Sequence, residues 1–152
     1  FVGAVIAPII FVRRRHLAFL PLTDCILGAL PIAYAIGRLG CHFTRMHPGP
    51  ACSNAFCFVF PDGVQRLDLG LLEAMVWVMI AIVIAIFHRH LARQGQMTAA
   101  VIGLYGIARF MLDFIRLDDL RYTGLTPAQY GCIILVGVAA WLTIRASRTA
   151  NA

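Results

Sequence analysis

One segment of the sequence places four chemically active side chains on a single helical face. Tyr105, Arg109, Asp113 and Arg116 follow one another at intervals of four, four and three residues, and such residues lie one above another on an α-helix. The face presents a phenol, two guanidiniums and a carboxylate. Either Arg109 and Asp113 form a structural pair, or the face is a functional site. We favour the second interpretation because pairing Arg109 with Asp113 leaves the guanidinium of Arg116 without a carboxylate in this segment. Such a guanidinium is suited to binding a phosphate.

Two further charged residues stand near the ends of apolar segments. Arg38 lies between Gly37 and Gly40, and glycines beside an arginine let a ligand headgroup or another backbone approach it closely. Arg38 can instead extend its guanidinium to the phosphates of the surrounding lipid. Glu73 lies about one turn into an apolar segment that begins at residue 69. It therefore either pairs with one of the arginines or takes part in proton transfer.

These charges stand in a chain that is otherwise strongly apolar. Of its 152 residues, 61% are hydrophobic and 13% are charged, whereas a soluble domain is roughly 45–50% apolar. Apolar runs suited to crossing a bilayer occupy residues 21–40, 69–87, 98–115 and 128–144, with a shorter run at 1–12. The sequence predicts an all-α, polytopic membrane helix bundle of four full transmembrane helices and one truncated helix. We expect one membrane domain over residues 1–152, whose parent protein has further N-terminal helices.

The arginines predict the orientation of this bundle. All 13 basic residues are arginines, and seven of them fall at one set of helix ends: Arg13, Arg14, Arg15, Arg89, Arg93, Arg145 and Arg148. Only Arg45, Arg66 and Arg121 fall at the other. The positive-inside rule makes the seven-arginine side cytoplasmic. The loops at about residues 41–68 and 117–127 are then extracytoplasmic, and the C-terminus is cytoplasmic.

The long loop has local features of its own. Residues 57–60 read as a short strand that ends in a turn at residues 61–63. Cys52 and Cys57 are close enough in sequence to pair in an oxidising compartment. The cysteines and histidines of this loop also suggest a metal site, but they form neither a C-x-x-C nor an H-x₃-H pair. We therefore predict no metal.

Four motifs, in order, resemble the prolipoprotein diacylglyceryl transferase family over roughly residues 1–131. They are Gly37-Arg38-Leu39-Gly40-Cys41, Leu71-Leu72-Glu73, the Tyr-Gly-x-x-Arg-Phe-x-x-Asp-Phe-x-Arg segment at residues 105–116, and Gly124-Leu125-Thr126-Pro127-x-Gln129. The resemblance implies a cofactor-independent enzyme of the bacterial cytoplasmic membrane. Such an enzyme moves the diacylglyceryl group of phosphatidylglycerol to the lipobox cysteine thiol of a lipoprotein precursor. A thioether forms and glycerol phosphate is released.

The resemblance also implies roles for individual residues. Arg38 and Arg109 hold the phosphate, Asp113 stands where the family usually has glutamate and orients Arg109, and Glu73 matches the glutamate at the family's helix entry. The residues expected to contact substrate are Tyr105, Arg116, Gly37, Gly40, Cys41, His42, His47 and Gly49. Met46 takes roughly the place of an acidic residue. Met46 cannot take over an ionic role, for which either His42 or His47 is a substitute. The family's His-Gly-Gly histidine would precede Phe1.

Two other functions are compatible with the residues. One is a small anion or lipid transporter whose arginine and aspartate stripe lines a path, and the other is a non-catalytic lipid-binding relative. A transport path requires polar residues across the whole membrane, but residues 128–144, and residues 69–87 beyond Glu73, are almost wholly apolar. We therefore expect a confined site whose partners are lipid and a lipoprotein precursor, with no role for nucleic acid.

Overall fold

A computed structural model of the chain describes residues 2–116 and 122–148. Its elements are α1 (Val2–Arg15), α2 (Phe19–Phe43), β1 (Pro48–Ala51), β2 (Cys57–Val59), β3 (Gln65–Asp68), α3 (Leu69–Phe87), α4 (Gln96–Leu112) and α5 (Pro127–Arg148). Short 3-10 helices at His88–His90 and Asp113–Ile115 follow α3 and α4. In this described part, α2 to α5 are long and apolar enough to cross a bilayer. The predicted all-α, multi-pass membrane fold is confirmed, while Arg121 lies outside the described residues.

The helices pack around the aromatic face of α3. Trp77 is 2% exposed, and its ring stacks on Tyr105 of α4 with centroids 4.6 Å apart and meets Tyr34 of α2 at 4.9 Å. Such aromatic pairs add to the stabilisation that burial alone provides. Many large apolar side chains on the other helix faces are exposed, among them Ile36 and Ile134. This is the surface expected of helices whose solvent is lipid.

Helices α4 and α5 approach closely because glycine lies between them. A Cβ added at Gly106 would meet Val136 Cγ2 at 3.0 Å and the Cys132 carbonyl oxygen at 3.4 Å, and one added at Gly103 would meet Ala139 Cβ at 3.2 Å. Small residues permit such backbone approach where lipid, not water, surrounds the helices. This packing fixes the position of the Arg109 segment of α4 against α5.

At one end of the bundle, α2 supplies the missing hydrogen bonds of α4. Asp24 accepts hydrogen bonds from the backbone N–H groups of Gly95 and Thr98 at 2.6 and 2.8 Å. Gly95 has φ +86°, a left-handed conformation that favours glycine. The carboxylate thereby caps the N-terminus of α4 and joins two helices far apart in sequence.

At the opposite end, the loop between α2 and α3 folds into an antiparallel sheet with strand order β1-β3-β2. We call this the sheet end of the bundle. The sequence predicted one strand at residues 57–60, and the structure has three, of which β2 is the predicted one. The strands β1 and β3 were missed because their four-residue sequences, Pro-Gly-Pro-Ala and Gln-Arg-Leu-Asp, lack a recognisable strand pattern. Strand β3 runs directly into α3, so the sheet is tied to the start of that helix.

Candidate functional site

Three charged residues from three helices meet at the sheet end. The Glu73 carboxylate lies between two guanidiniums, with Oε2 at 2.7 Å from Arg38 Nε and Oε1 accepting a hydrogen bond from Arg109 Nη1 at 2.6 Å. Glu73 is 5% exposed. The sequence left open whether Glu73 pairs with an arginine, and in the structure it pairs with two.

The helix ends bring these three side chains to the same depth. Arg38 lies five residues before the end of α2, Glu73 four residues after the start of α3, and Arg109 three residues before the end of α4. At about 1.5 Å per residue, each stands roughly 5–8 Å inside its helix end. Because neighbouring helices run in opposite directions, the site forms where α2 and α4 end and α3 begins.

Asp113 holds Arg109 from the other side. Its Oδ1 lies 3.1 Å from Arg109 Nη2, and its Oδ2 accepts a hydrogen bond from the Thr126 hydroxyl. The Asp113 side chain is fully buried. The guanidinium of Arg109 therefore contacts two carboxylates, which fixes its plane. The pairing predicted from the spacing of Arg109 and Asp113 is present, within a larger network.

The start of α5 supports this network through a capping box. The Thr126 hydroxyl accepts from the Gln129 backbone N–H at 3.2 Å, and the Gln129 side-chain oxygen accepts from the Thr126 N–H at 2.9 Å. This reciprocal pattern, with Pro127 in the first helical position, is typical of a helix N-terminus. Gln129 Nε2 also donates to the Phe110 carbonyl oxygen at 3.3 Å. The box thus links the start of α5 to the end of α4 at Phe110 and at Asp113.

The regular α-helix behind the predicted four-residue stripe ends at Leu112, although Asp113 still contacts Arg109. There α4 gives way to a 3-10 turn at Asp113–Ile115, and Arg116 has extended backbone with φ −75° and ψ 133°. Regular α-helical spacing therefore does not apply at Arg116, and it cannot be used to place Arg116 on the same face as Arg109. At the other end of the stripe, Tyr105 stacks on Trp77. Its ring belongs to the core packing, where its position is fixed by an aromatic partner that the sequence did not reveal.

The two histidines of the loop occupy different environments. His42 Nδ1 lies 2.8 Å from Asp68 Oδ2 and 3.1 Å from Arg45 Nη1. His47 instead places Nε2 at 3.5 Å from Nη1 of Arg38. Of the two candidates, only His47 contacts one of the three bridged charges.

The remaining predicted residues are distributed around the end of α2. A Cβ added at Gly37 or Gly40 would meet nothing within 4 Å, so the space beside Arg38 is open there. Cys41 is half-buried with a free thiol. Gly49 is different, because an added Cβ would lie 2.8 Å from the Leu67 carbonyl oxygen. Its lack of a side chain lets β1 pack against β3.

Asp68 is a residue that sequence reasoning missed. It is fully buried, caps α3 by accepting from the Leu71 N–H at 3.0 Å, and accepts from Arg45 Nη1 at 2.6 Å. Burial opposes its ionisation, but the hydrogen bonds from Leu71, His42 and Arg45 outweigh burial and lower the Asp68 pKa below 3.8. The Asp68 carboxylate therefore ties the end of α2 to the start of α3, one turn from the bridge at Glu73.

Asp68→Ala is expected to lower the free energy of unfolding by about 1–3 kcal/mol, because it removes a helix cap and two charge-assisted contacts. Asp68→Asn, which keeps the cap, should lose less. Since the pKa is lowered by folding, the contribution of Asp68 is present above pH 3.8 and is lost as the pH falls through the folded value. Thermal unfolding of the three proteins in detergent micelles measures both effects. An alanine variant as stable as the native protein would contradict this role.

Comparison with known proteins places the site in a wider context. A model of the prolipoprotein diacylglyceryl transferase family matches residues 1–145. The chain is 31% identical over 137 residues to a phosphatidylglycerol–prolipoprotein diacylglyceryl transferase of Clostridioides difficile, covering 90% of the chain and 54% of that relative. Enzymes of the same name from Azotobacter vinelandii and Listeria welshimeri are each 28% identical, over 98% and 94% of the chain and 61% and 56% of the relatives. The chain thus spans little more than half the length of these relatives.

Proposed function

The chain belongs to the prolipoprotein diacylglyceryl transferase family, and from this premise we propose that it takes part in moving a diacylglyceryl group from phosphatidylglycerol to the cysteine thiol of a lipoprotein precursor. The observation that carries the proposal is the pair of guanidiniums, Arg38 and Arg109, joined by Glu73 within a membrane helix bundle. A pair of partly buried cations is suited to a lipid whose reacting group is a phosphodiester anion.

The reaction requires stabilisation of a leaving phosphate. The thiol loses its proton to a base, and the sulfur attacks the lipid's glycerol carbon that is bonded to the phosphate oxygen. A C–S bond forms, the C–O bond breaks, and the electron pair leaves on glycerol phosphate. Donors already fixed in position stabilise such developing negative charge most strongly where water is excluded. This is the role we assign to Arg38 and Arg109.

The two arginines are held differently, which supports a division of roles. Arg109 uses two nitrogens on Glu73 and Asp113, so its position is fixed. Arg38 contacts Glu73 through Nε, and its side chain is 23% exposed against 13% for Arg109. We assign the first contact with the lipid phosphate to the Nη groups of Arg38. Arg109 then supplies the second positive charge near the phosphate. Glu73 and Asp113 act as positioning residues for the guanidiniums.

An apolar groove between α4 and α5 supports a lipid substrate. It has a volume of about 240 Å³ and is lined by side chains that include Phe110, Met111, Ile133 and Val136. Phe110 directly follows Arg109 in α4. We propose that the groove receives one acyl chain of phosphatidylglycerol.

The packing of α3 does not favour the alternative of an anion transporter. Beyond Glu73, the buried face of α3 consists of Ala74, Trp77, Ile80 and Ile84. These side chains form the core of the bundle with α2 and α4. The polar groups of α3 therefore stop near the sheet end, as a confined reaction site requires and as a path across the membrane does not.

The direct experiment is a transfer assay with the full-length protein, phosphatidylglycerol and a peptide that carries a lipobox cysteine. The proposal expects a peptide whose mass rises by one diacylglyceryl group through a bond that hydroxylamine does not cleave, because a thioether lacks an acyl carbonyl. A peptide with serine in place of cysteine is the matched control and should stay unmodified. Unmodified cysteine peptide after incubation with well-folded protein would refute the transferase function.

We further propose that the sheet end faces the extracytoplasmic side, in agreement with the arginine distribution along the chain. The disulfide between Cys52 and Cys57 supports this orientation, since such bonds persist in oxidising compartments. Maleimide labelling of the denatured, unreduced protein is expected to modify three of the five cysteines, and reduction should raise the number to five. Mass spectrometry counts the labels. Five labels before reduction would contradict the pairing and remove this support.

A further inference from the structure

His47 occupies the turn between α2 and β1, where its ring lies beside the bridged charges. Its Nε2 is 3.5 Å from Nη1 of Arg38, the arginine to which we assign the first phosphate contact. The backbone carbonyl of His47 accepts a hydrogen bond from the Leu69 N–H at 3.2 Å. The ring is therefore attached to the start of α3 through its own backbone, and its position relative to Arg38 is set by the fold.

The contact with Arg38 fixes where the ring carries its proton. A guanidinium donates hydrogen bonds and accepts none, so Nε2 of His47 must be the acceptor. The neutral ring then carries its hydrogen on Nδ1. Burial lowers the His47 pKa below 6.5, and the charge of Arg38 and, less strongly, of Arg116 lowers it further, while Glu73 and Asp68 oppose them. At neutral pH the ring is uncharged, with Nδ1 as its donor.

That donor lacks a partner within the described part of the chain. Nδ1 of His47 is buried, and no described residue hydrogen-bonds to it. A buried donor left unpaired carries a substantial free-energy cost, which a ligand acceptor would remove. Two guanidiniums, of Arg38 and Arg116, act on this ring electrostatically. The surroundings of the donor therefore favour an acceptor with negative charge.

His42 provides the internal comparison. Its Nδ1 already contacts Asp68 and Arg45, and its ring lies edge-on to Phe58 with centroids 5.0 Å apart. That ring is a member of the network that joins α2 to α3. It has no contact with Arg38, Glu73 or Arg109 in the described structure, so the two neighbouring histidines have separate roles.

We propose that His47 is a substrate-binding residue whose Nδ1–H donates to a phosphate oxygen of the lipid headgroup. The assignment rests on the proposed function and adds a neutral donor to its two guanidiniums. The phosphate ester could belong to membrane-bound phosphatidylglycerol or to released glycerol phosphate, because both present the same acceptor oxygens. The neutral Nδ1–H donor would orient the phosphate through the direction of its hydrogen bond, whereas the two arginines would attract it by their charge.

Two substitutions distinguish the two ring nitrogens. The amide nitrogen of asparagine lies near the position of histidine Nδ1, and that of glutamine lies near Nε2. We expect His47→Gln to weaken phosphatidylglycerol binding by about tenfold or more, the effect of one hydrogen bond to a charged group, and His47→Asn to stay within about threefold of native affinity. Binding is measured in phosphatidylcholine nanodiscs of the full-length protein by competition against spin-labelled phosphatidylglycerol. His90→Gln, at an exposed position beyond the far end of α3, is the matched control and should bind as the native protein does, with equal thermal stability required of all variants.

Other results would overturn the assignment. Native affinity in His47→Gln, or equal losses in both His47 variants, would show that Nδ1 is not the contact atom while leaving the transferase function standing. Affinity that falls as the pH rises through about 6.5 would mean that His47 binds as a cation. Native protein that binds no phosphatidylglycerol would refute the lipid substrate itself. A parallel titration of the full-length protein in phosphatidylcholine nanodiscs with glycerol 1-phosphate identifies whether the headgroup alone or only the whole lipid is bound.

Discussion

Arg109→Ala is expected to reduce diacylglyceryl transfer by at least about a thousandfold. The substitution removes a preset donor from the leaving phosphate, and loss of one such donor costs about 10²–10³ in rate. It also leaves Glu73 with one guanidinium partner and removes the only described ion pair of Asp113. The position of Glu73 then changes as well, so the loss should exceed that of a single donor. Turnover of phosphatidylglycerol with a lipobox peptide measures the effect.

A second variant separates catalysis from folding. Arg109→Lys keeps the positive charge between the carboxylates, but an ammonium is a point charge and cannot reproduce the planar fork that meets both of them. We expect near-native thermal stability with a rate still reduced by about tenfold or more. Arg148→Ala, at the exposed end of α5, is the matched control and should transfer at the native rate. Undiminished transfer by Arg109→Ala would remove Arg109 from the site.

Glu73→Gln is expected to have the next largest effect, on stability and on transfer together. Glutamine keeps the shape of the side chain and removes the charge, so Arg38 and Arg109 then repel one another across a neutral amide. Breaking a buried ion pair costs about 3–5 kcal/mol, and we expect the lower part of that range because Arg38 is partly exposed. With both arginines displaced, transfer should fall by about a hundredfold, mainly in kcat because Glu73 acts by positioning.

The chain offers a matched control for this substitution. Asp62 also pairs with an arginine, Arg66, at 2.8 Å, but its side chain is 46% exposed. Exposed pairs contribute little to stability, so Asp62→Asn should leave the melting temperature and the transfer rate close to native. Thermal unfolding in micelles and the transfer assay apply to both variants. Equal behaviour of Glu73→Gln and Asp62→Asn would mean that the bridge has no special role.

The helices could be predicted from the sequence because a bilayer imposes one strong requirement on them. An apolar run of sufficient length is both necessary and recognisable. The prediction at residues 69–87 coincides with α3 (Leu69–Phe87), and α2 (Phe19–Phe43) differs from its predicted range, 21–40, by two and three residues. Polar residues at the C-terminal end of α2, including His42, are tolerated because that end lies beside the sheet. Hydropathy alone therefore predicts that the helix ends before its true C-terminal residue.

The arrangement of the charges could be predicted only in part. Spacing within one helix indicated the contact between Arg109 and Asp113, which is a local property. The bridge from Arg38 through Glu73 to Arg109 joins three helices, and its pairing depends on packing that no spacing in the sequence reveals. Regular helical spacing does not extend as far as Arg116, because the helix ends at Leu112.

Three supporting residues could have been found from the sequence. Thr126, Pro127 and Gln129 form a Thr-Pro-x-Gln pattern before an apolar run, which is the signature of a capping box. The additional hydrogen bond from Thr126 to Asp113 was not predictable, because it joins α5 to the end of α4. Met46, in contrast, is a position where the family resemblance led to an expectation that this chain does not meet. It stands where the resemblance led us to expect an acidic residue, and its side chain is 68% exposed while the neighbouring His47 contacts Arg38.

The most direct test of the central claim is to count both products of one reaction. Full-length protein is incubated with phosphatidylglycerol and lipobox peptide, and the modified peptide and free glycerol phosphate are quantified together. If Arg38 and Arg109 hold a phosphate that leaves with glycerol, the two products appear in equal amounts and all phosphorus stays with glycerol. Phosphorus on the peptide, or modified peptide without released glycerol phosphate, would contradict that account of the site.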